Sequence, residues 1–181
     1  MSDTDAFDED NEGVRSLDDL PPWIVPYLAG VVDNHFNLLL RISKSDRRTV
    51  GYKPQPSIRY KAEGKAIIDL LERYCAALDI APRVYEKSET KYPHYRFVIS
   101  RRDDLEAFLT PLRPYCVGQA EPISLLLDEI LPAMERGDHS DEETFLEFME
   151  HADAFRDAAG RANRSKYDLE YFEREWDVSA E

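Results

Sequence analysis

The chain has 181 residues, 43% hydrophobic and 33% charged, with a formal net charge of −14. That length suits one domain with extensions, and no run of about 20 apolar residues is present to span a membrane. The acidic N-terminus lacks the pattern of a secretion signal, and Cys75 and Cys116 have no metal-ligand spacing, so a cytoplasmic protein without a disulfide framework or zinc site is expected.

Acid excess argues against polyanionic partners, but the charge is segregated. Residues 41–102 hold 15 Lys and Arg against 7 Asp and Glu, a net of +8; the remainder holds 8 against 30, a net of −22. Arg outnumbers Lys 16 to 7. Acid excess with few lysines resembles proteins of salt-in halophiles, so composition points to a haloarchaeal source.

Residues 1–20 carry eight acids and one Arg and are expected to form a disordered tail. Pro21 and Pro22 mark the start of the domain, and residues 23–33 form a short apolar helix. Phe36, Leu38, Leu40 and Ile42 then alternate with His35, Asn37, Leu39, Arg41 and Ser43, which predicts a strand. After a basic turn at 45–49, a second strand sets Val50, Tyr52, Pro54, Pro56, Ile58 and Tyr60 against Lys53, Gln55, Ser57, Arg59 and Lys61. Its prolines suggest an edge or a bulge. Gly64 precedes a helix with Ile67, Leu70, Leu71, Tyr74, Cys75 and Leu78 at helical spacing.

Pro82 opens a third strand, with Arg83, Tyr85 and Lys87 on one face. The fourth, residues 92–100, has Tyr95, Phe97 and Ile99 on one side and His94 and Arg96 on the other. Ser100 with Asp103 forms a capping box for a helix carrying Leu105, Phe108, Leu109 and Leu112. Pro122 begins another helix with Ile123, Leu126, Leu127, Ile130, Leu131 and Met134 on its core stripe. Ser140 with Glu143 caps the next, and a last short helix runs over 165–176. His94, His139 and His151 read as surface residues, and the acids at 141–150 as helix-start preference and a solvated face.

Residues 27–36, YLAGVVDNHF, closely resemble the motif of the LAGLIDADG homing endonucleases. Leu28, Ala29, Gly30, Val31, Val32 and Asp33 match its helical part. The similarity extends to LRPYCVGQAEPISLLLDEIL at 112–131, where a proline–aromatic pair precedes a long helix. The resemblance implies an α+β fold: an α-β-β-α-β-β-α domain with an antiparallel four-stranded sheet, over 21–136, plus a C-terminal helical extension over 137–181. A chain with one motif is implied to form a homodimer through the motif helix, at Pro26, Tyr27, Ala29 and Gly30.

In the family the motif's last acid binds a catalytic divalent metal. Here His35 stands in its place, and Phe36 replaces the usual Gly. The accessory Gln expected after the second strand falls near Ala62 or Glu63, and the accessory Lys near Gln119. Asp33, the motif's first acid, is retained in a structural role. The positions Asp33, His35 and Gln119 therefore look degenerate, no residue is assigned to catalysis, and no cofactor is expected; the nuclease alternative would use Mg²⁺ with Asp33.

The polar strand positions collect on one sheet face: Asn37, Arg41, Ser43, Lys53, Gln55, Ser57, Arg59, Lys61, Arg83, Tyr85, Lys87, His94 and Arg96. That inventory suits double-stranded DNA, with Arg and Lys for guanine edges and phosphates and Gln and Asn for adenine. The resulting expectation is sequence-specific DNA binding without cleavage, with a transcriptional role by analogy. An active endonuclease, a maturase-like RNA binder and a protein-interaction scaffold are the alternatives.

Overall fold

A computed structural model of the chain describes residues 16–88, 94–160 and 163–176. Residues 1–15, most of the acidic stretch expected to be disordered, lie outside the described residues, as do Tyr92 and Pro93 at the expected start of the fourth strand and residues 177–181.

Helix α1 (Ile24–His35) buries Ile24, Leu28, Ala29, Val31 and Val32, a stripe at helical spacing. It ends where Phe36 turns extended, and β1 (Asn37–Lys44) follows at once. β2 (Tyr52–Ala62) returns antiparallel, with Asn37 opposite Arg59 and Lys44 opposite Tyr52. The connecting turn closes with the Ser45 N–H donating to the Gly51 carbonyl at 2.8 Å, and Gly51 has φ +73°, a conformation that favours glycine. α2 (Lys65–Ala77), β3 (Arg83–Lys87), β4 (His94–Ile99) and α3 (Arg102–Leu109) complete the α-β-β-α-β-β-α order expected from the sequence.

The sheet runs β1-β2-β4-β3, with every neighbouring pair antiparallel. β2 is thus a central strand rather than an edge. Its prolines are tolerated because β4 pairs only with Ile58 to Ala62, whereas Pro54 and Pro56 lie in the half that has β1 on one side and no strand on the other. No ladder bond is lost there for want of an N–H.

Two expected caps are replaced. α3 starts at an N-cap Arg101 with no side-chain cap bond, because the Ser100 hydroxyl accepts instead from the Arg83 guanidinium. α6 (Glu142–Ala159) is capped by Asp141, one residue later than expected; a carboxylate is the better acceptor for the amides of Glu143 and Thr144. The segment from Pro122 is continuous but changes pitch, from α4 (Ala120–Leu125) through a π-helical turn (Leu126–Ile130) to α5 (Leu131–Arg136). Pro132 has no N–H for the carbonyl four residues earlier, and the wider pattern, with Leu131 N bonded to Leu126 O, forms just before it. α7 (Leu169–Glu175) is shorter than the expected 165–176 and is capped by Asp168.

The inner face of the sheet carries Leu38, Leu40, Ile42, Tyr52, Ile58, Phe97 and Ile99, all buried. Phe36 lies with its ring centroid 6.0 Å from both Phe97 and Phe108, and 5.0 Å from Tyr60 in a stacked pair. A fully buried phenylalanine such as Phe97 contributes roughly 2 to 3 kcal/mol of transfer free energy. At the other end Tyr52 meets Phe172 at 4.8 Å and its hydroxyl lies 2.9 Å from that of Tyr171, so α6 and α7 share the core of the sheet. Among the described residues, no helix is long and apolar enough to cross a membrane.

Candidate nucleic-acid interface

Residues directly opposite in an antiparallel pair share a face, so the register decides which side chains stand together. One row across the whole sheet is Asn37, Arg59, Val98 and Arg83. The next is Lys61, Arg96 and Tyr85, followed by Lys87 beside His94. Toward the β1–β2 turn come Leu39 with Ser57, Arg41 with Gln55, and Ser43 with Lys53. All thirteen polar positions read from the sequence fall on this one face, among them the seven cations Arg41, Lys53, Arg59, Lys61, Arg83, Lys87 and Arg96.

Two features of the face differ from the sequence reading. Ser57 shares it by register but is only 5% exposed, sunk between longer neighbours in the middle of β2, so it cannot reach outward as its strand partners do. Leu39 and Val98 are apolar members that a polar inventory leaves out. Elsewhere the face is already organised: the Ser43 hydroxyl donates to the Gln55 Oε1 at 3.2 Å, which orients an amide opposite Arg41.

The motif helix presents a second surface. Trp23 and Tyr27 are 56% and 51% exposed and meet edge-to-face at 6.0 Å; Pro26, Gly30 and Asn34 continue the same ridge, all exposed. Asn34 Nδ2 donates to the Gly30 carbonyl at 2.8 Å. Ala29 is not on this ridge. It is fully buried within its own chain, where the Cys116 thiol lies 3.8 Å from its carbonyl oxygen. A helix advances 100° per residue, and that separates Ala29 from Gly30. Trp23 was missed as part of the ridge, although its spacing from Tyr27 and Gly30, four and then three residues, marks one helical face. Tyr115 and Val117, on either side of Cys116, add two exposed apolar groups beside the helix.

At the end of α1 the Asp33 carboxylate accepts from the Val117 amide at 2.8 Å and from the Gln119 amide at 2.9 Å, one bond to each oxygen. Burial works against its charge, but the amides of Val117, Gln119 and Gly118 together outweigh it and hold its pKa below the ordinary value. Asp33 and Gln119 are therefore brought together, through the backbone of Gln119. Burial, and then the Asp33 charge, push the neighbouring Cys116 thiol up to about 12, so it stays protonated. His35 is exposed two residues on, its ring 6.4 Å from Tyr60. Among the described residues, no three His, Cys, Asp or Glu side chains gather to hold a metal ion.

No protein-family model and no curated protein matches the chain by sequence. Solved structures do. An archaeal intron-encoded homing endonuclease complexed with DNA superposes with a TM-score of 0.69 at 17% identity, over 87% of this chain and 98% of that one. The homing endonuclease I-CvuI, in complex with uncleaved target DNA, gives 0.68 at 17% identity over 83% and 90%. The LAGLIDADG meganuclease I-CpaMI, also bound to uncleaved DNA, gives 0.63 at 14% identity over 88% of this chain and 50% of that one. Motif helix, sheet order and these superpositions agree: the chain has the fold of the LAGLIDADG homing endonucleases.

Proposed function

We propose that this chain is a sequence-specific duplex-DNA-binding protein that acts as a two-fold dimer and does not cut its target. The observation that carries the reading is the strand register, which gathers seven Lys and Arg side chains on one sheet face, with no acid among its polar positions, in a chain of net charge −14. A major groove about 12 Å wide admits paired strands, Arg and Lys match guanine edges, and Asn and Gln match adenine. Neighbours of this fold that are solved in complex with DNA support a DNA partner here.

The dimer follows from the α1 ridge. Exposed Trp23 and Tyr27 share a ridge with Gly30, which has no neighbouring atom within 4 Å of where a Cβ would stand, and this suits close approach of a second copy of the helix. A two-fold pair sets two sheet faces along one duplex and calls for a palindromic site.

The donors at the end of α1 fit a hard divalent cation poorly. Both Asp33 oxygens are committed to amides, His35 supplies nitrogen where Mg²⁺ takes oxygen, and Gln119 supplies no charge. They support no cleavage step, and occupancy of the DNA target, as in transcriptional regulation, is the activity. The endonuclease reading draws on the retained Asp33 carboxylate.

A binding selection separates the two. Fragmented genomic DNA is incubated with the protein and Mg²⁺ from low to molar salt, and bound duplexes are sequenced end to end. Enrichment of intact, palindromic sites is expected. Fragments that end at one fixed position inside the site would establish a nuclease, and no enrichment would remove duplex DNA as the partner and point to structured RNA.

A further inference from the structure

β4 ends at Ile99, opposite Ile58, and the chain then leaves the sheet for α3. The half of β2 before Ile58 has no second neighbour, and Pro54 and Pro56 have no N–H with which to recruit one. What borders it is a cleft of about 580 Å³ between β2, the start of α3 and the turn after α5.

The wall of this cleft is basic. Arg48, Lys53, Arg101 and Arg102 line it, against the carboxylates of Asp103 and Glu135. Of these cations only Arg101 has an ion pair among the described residues, with Asp104 at 3.7 Å. α3 begins here without a side-chain cap, so the amides of its first turn have no acceptor within the helix. From the inner side His139 lines the same cleft. It is 8% exposed, and its Nδ1 has no hydrogen-bond partner, a state that costs stability unless a ligand completes it. Burial, and then the charges of Arg48 and Arg102, lower its pKa, with Asp138 opposing, which places both guanidiniums within electrostatic reach of the ring.

We infer that this cleft binds a phosphoryl group, held by Arg48, Arg102, Lys53, the first-turn amides of α3 and His139 Nδ1, and that the backbone of the duplex on the sheet face supplies it. The inference rests on the duplex-DNA reading above. Lys53 joins the two sites: it stands opposite Ser43 on the sheet face and also lines the cleft. A phosphate held there lies beside the face rather than over it, and such a contact sets position along the duplex without reading its sequence.

The test uses the full chain and the variants Arg48→Gln, Arg102→Gln and the pair; neither residue belongs to the sheet-face set. Affinity for a random-sequence duplex pool is measured across a salt series, and thermal unfolding confirms that each variant folds. The paired variant is expected to weaken all duplexes by the same factor and to make the slope of log affinity against log salt shallower by about 0.9, the share of one phosphate. Wild-type binding with an unchanged slope in the paired variant would overturn the cleft and leave the sheet reading standing. If the wild type binds no duplex, inorganic phosphate reads the cleft alone. A rise in melting temperature in the wild type, absent from the paired variant, would keep the phosphoryl site and overturn DNA as its source; no rise would overturn both.

Discussion

Asn163 stands against the outer edge of β1 as one more strand would. The Leu40 N–H donates to its Oδ1 at 2.9 Å, and its Nδ2 donates to the Leu38 carbonyl at 2.7 Å. Free edge groups recruit other strands, and one buried amide here satisfies two of them. Asn163→Ala is expected to lower stability by about 2 kcal/mol, because a buried donor and a buried acceptor lose their partner together. Urea unfolding measures it; an unchanged midpoint would mean that water serves the edge equally well.

The Asp33 carboxylate ties the end of α1 to the turn that follows Cys116. Asp33→Asn keeps one acceptor and turns an amino group toward a backbone N–H, so a loss of about 1 to 2 kcal/mol is expected at neutral pH, at the low end for charged acceptors because the group is partly exposed. The folded pKa lies below the ordinary value. Its contribution is therefore complete above the unfolded carboxylate range and is lost as pH falls through the lower folded value. Stability measured between neutral pH and strong acid should decline less steeply in the variant than in the wild type.

Gly30 separates monomer stability from self-association. Nothing lies within 4 Å of a Cβ built there, so Gly30→Leu meets no clash within the chain. Better helix propensity should stabilise the monomer by about 0.5 to 1 kcal/mol. The same side chain would hold two motif helices apart. Sedimentation at several concentrations, with thermal unfolding of the dilute protein, should show a weaker dimer and a more stable chain. Unchanged association would move the interface off this ridge.

Arg59 and Lys61 are exposed on the sheet face, in its two longest rows. Changing both to Glu should shift stability by no more than about 0.5 kcal/mol, as exposed substitutions do. Duplex affinity should collapse, with a salt slope shallower by nearly 2 where binding remains measurable, about 0.9 for each lost phosphate. Retained affinity would remove the sheet face as the binding surface.

Period-two alternation in β1, β2 and β4 was plain in the chain, because strands buried on one face and polar on the other carry that pattern in most residues, Leu39, Ser57 and Val98 aside. The motif helix was visible for a similar reason, as a contiguous run of ten residues. Contacts between distant segments left no such local mark. Nothing near Asn163 announces an edge to be covered, and nothing near Ser100 says that Arg83 will take its hydroxyl. Ala29 was assigned to the wrong side of α1 because a small residue suits close approach to another helix and close approach to its own core alike. The basic cleft joins Arg48, Arg102 and His139 from three separate segments, beside the half of β2 that β4 does not reach.

The exposed ridge of α1 also carries an optical reporter. The chain has two tryptophans. Trp176 packs against Phe145 and Phe172 at 5.5 and 5.0 Å, so its surroundings are set by folding alone. Trp23 faces solvent. Association through α1 would take its indole out of water and shift its emission to the blue in proportion to the dimer formed, while unfolding would shift both tryptophans to the red. Concentration-dependent emission from the unlabelled protein thus follows assembly separately from folding.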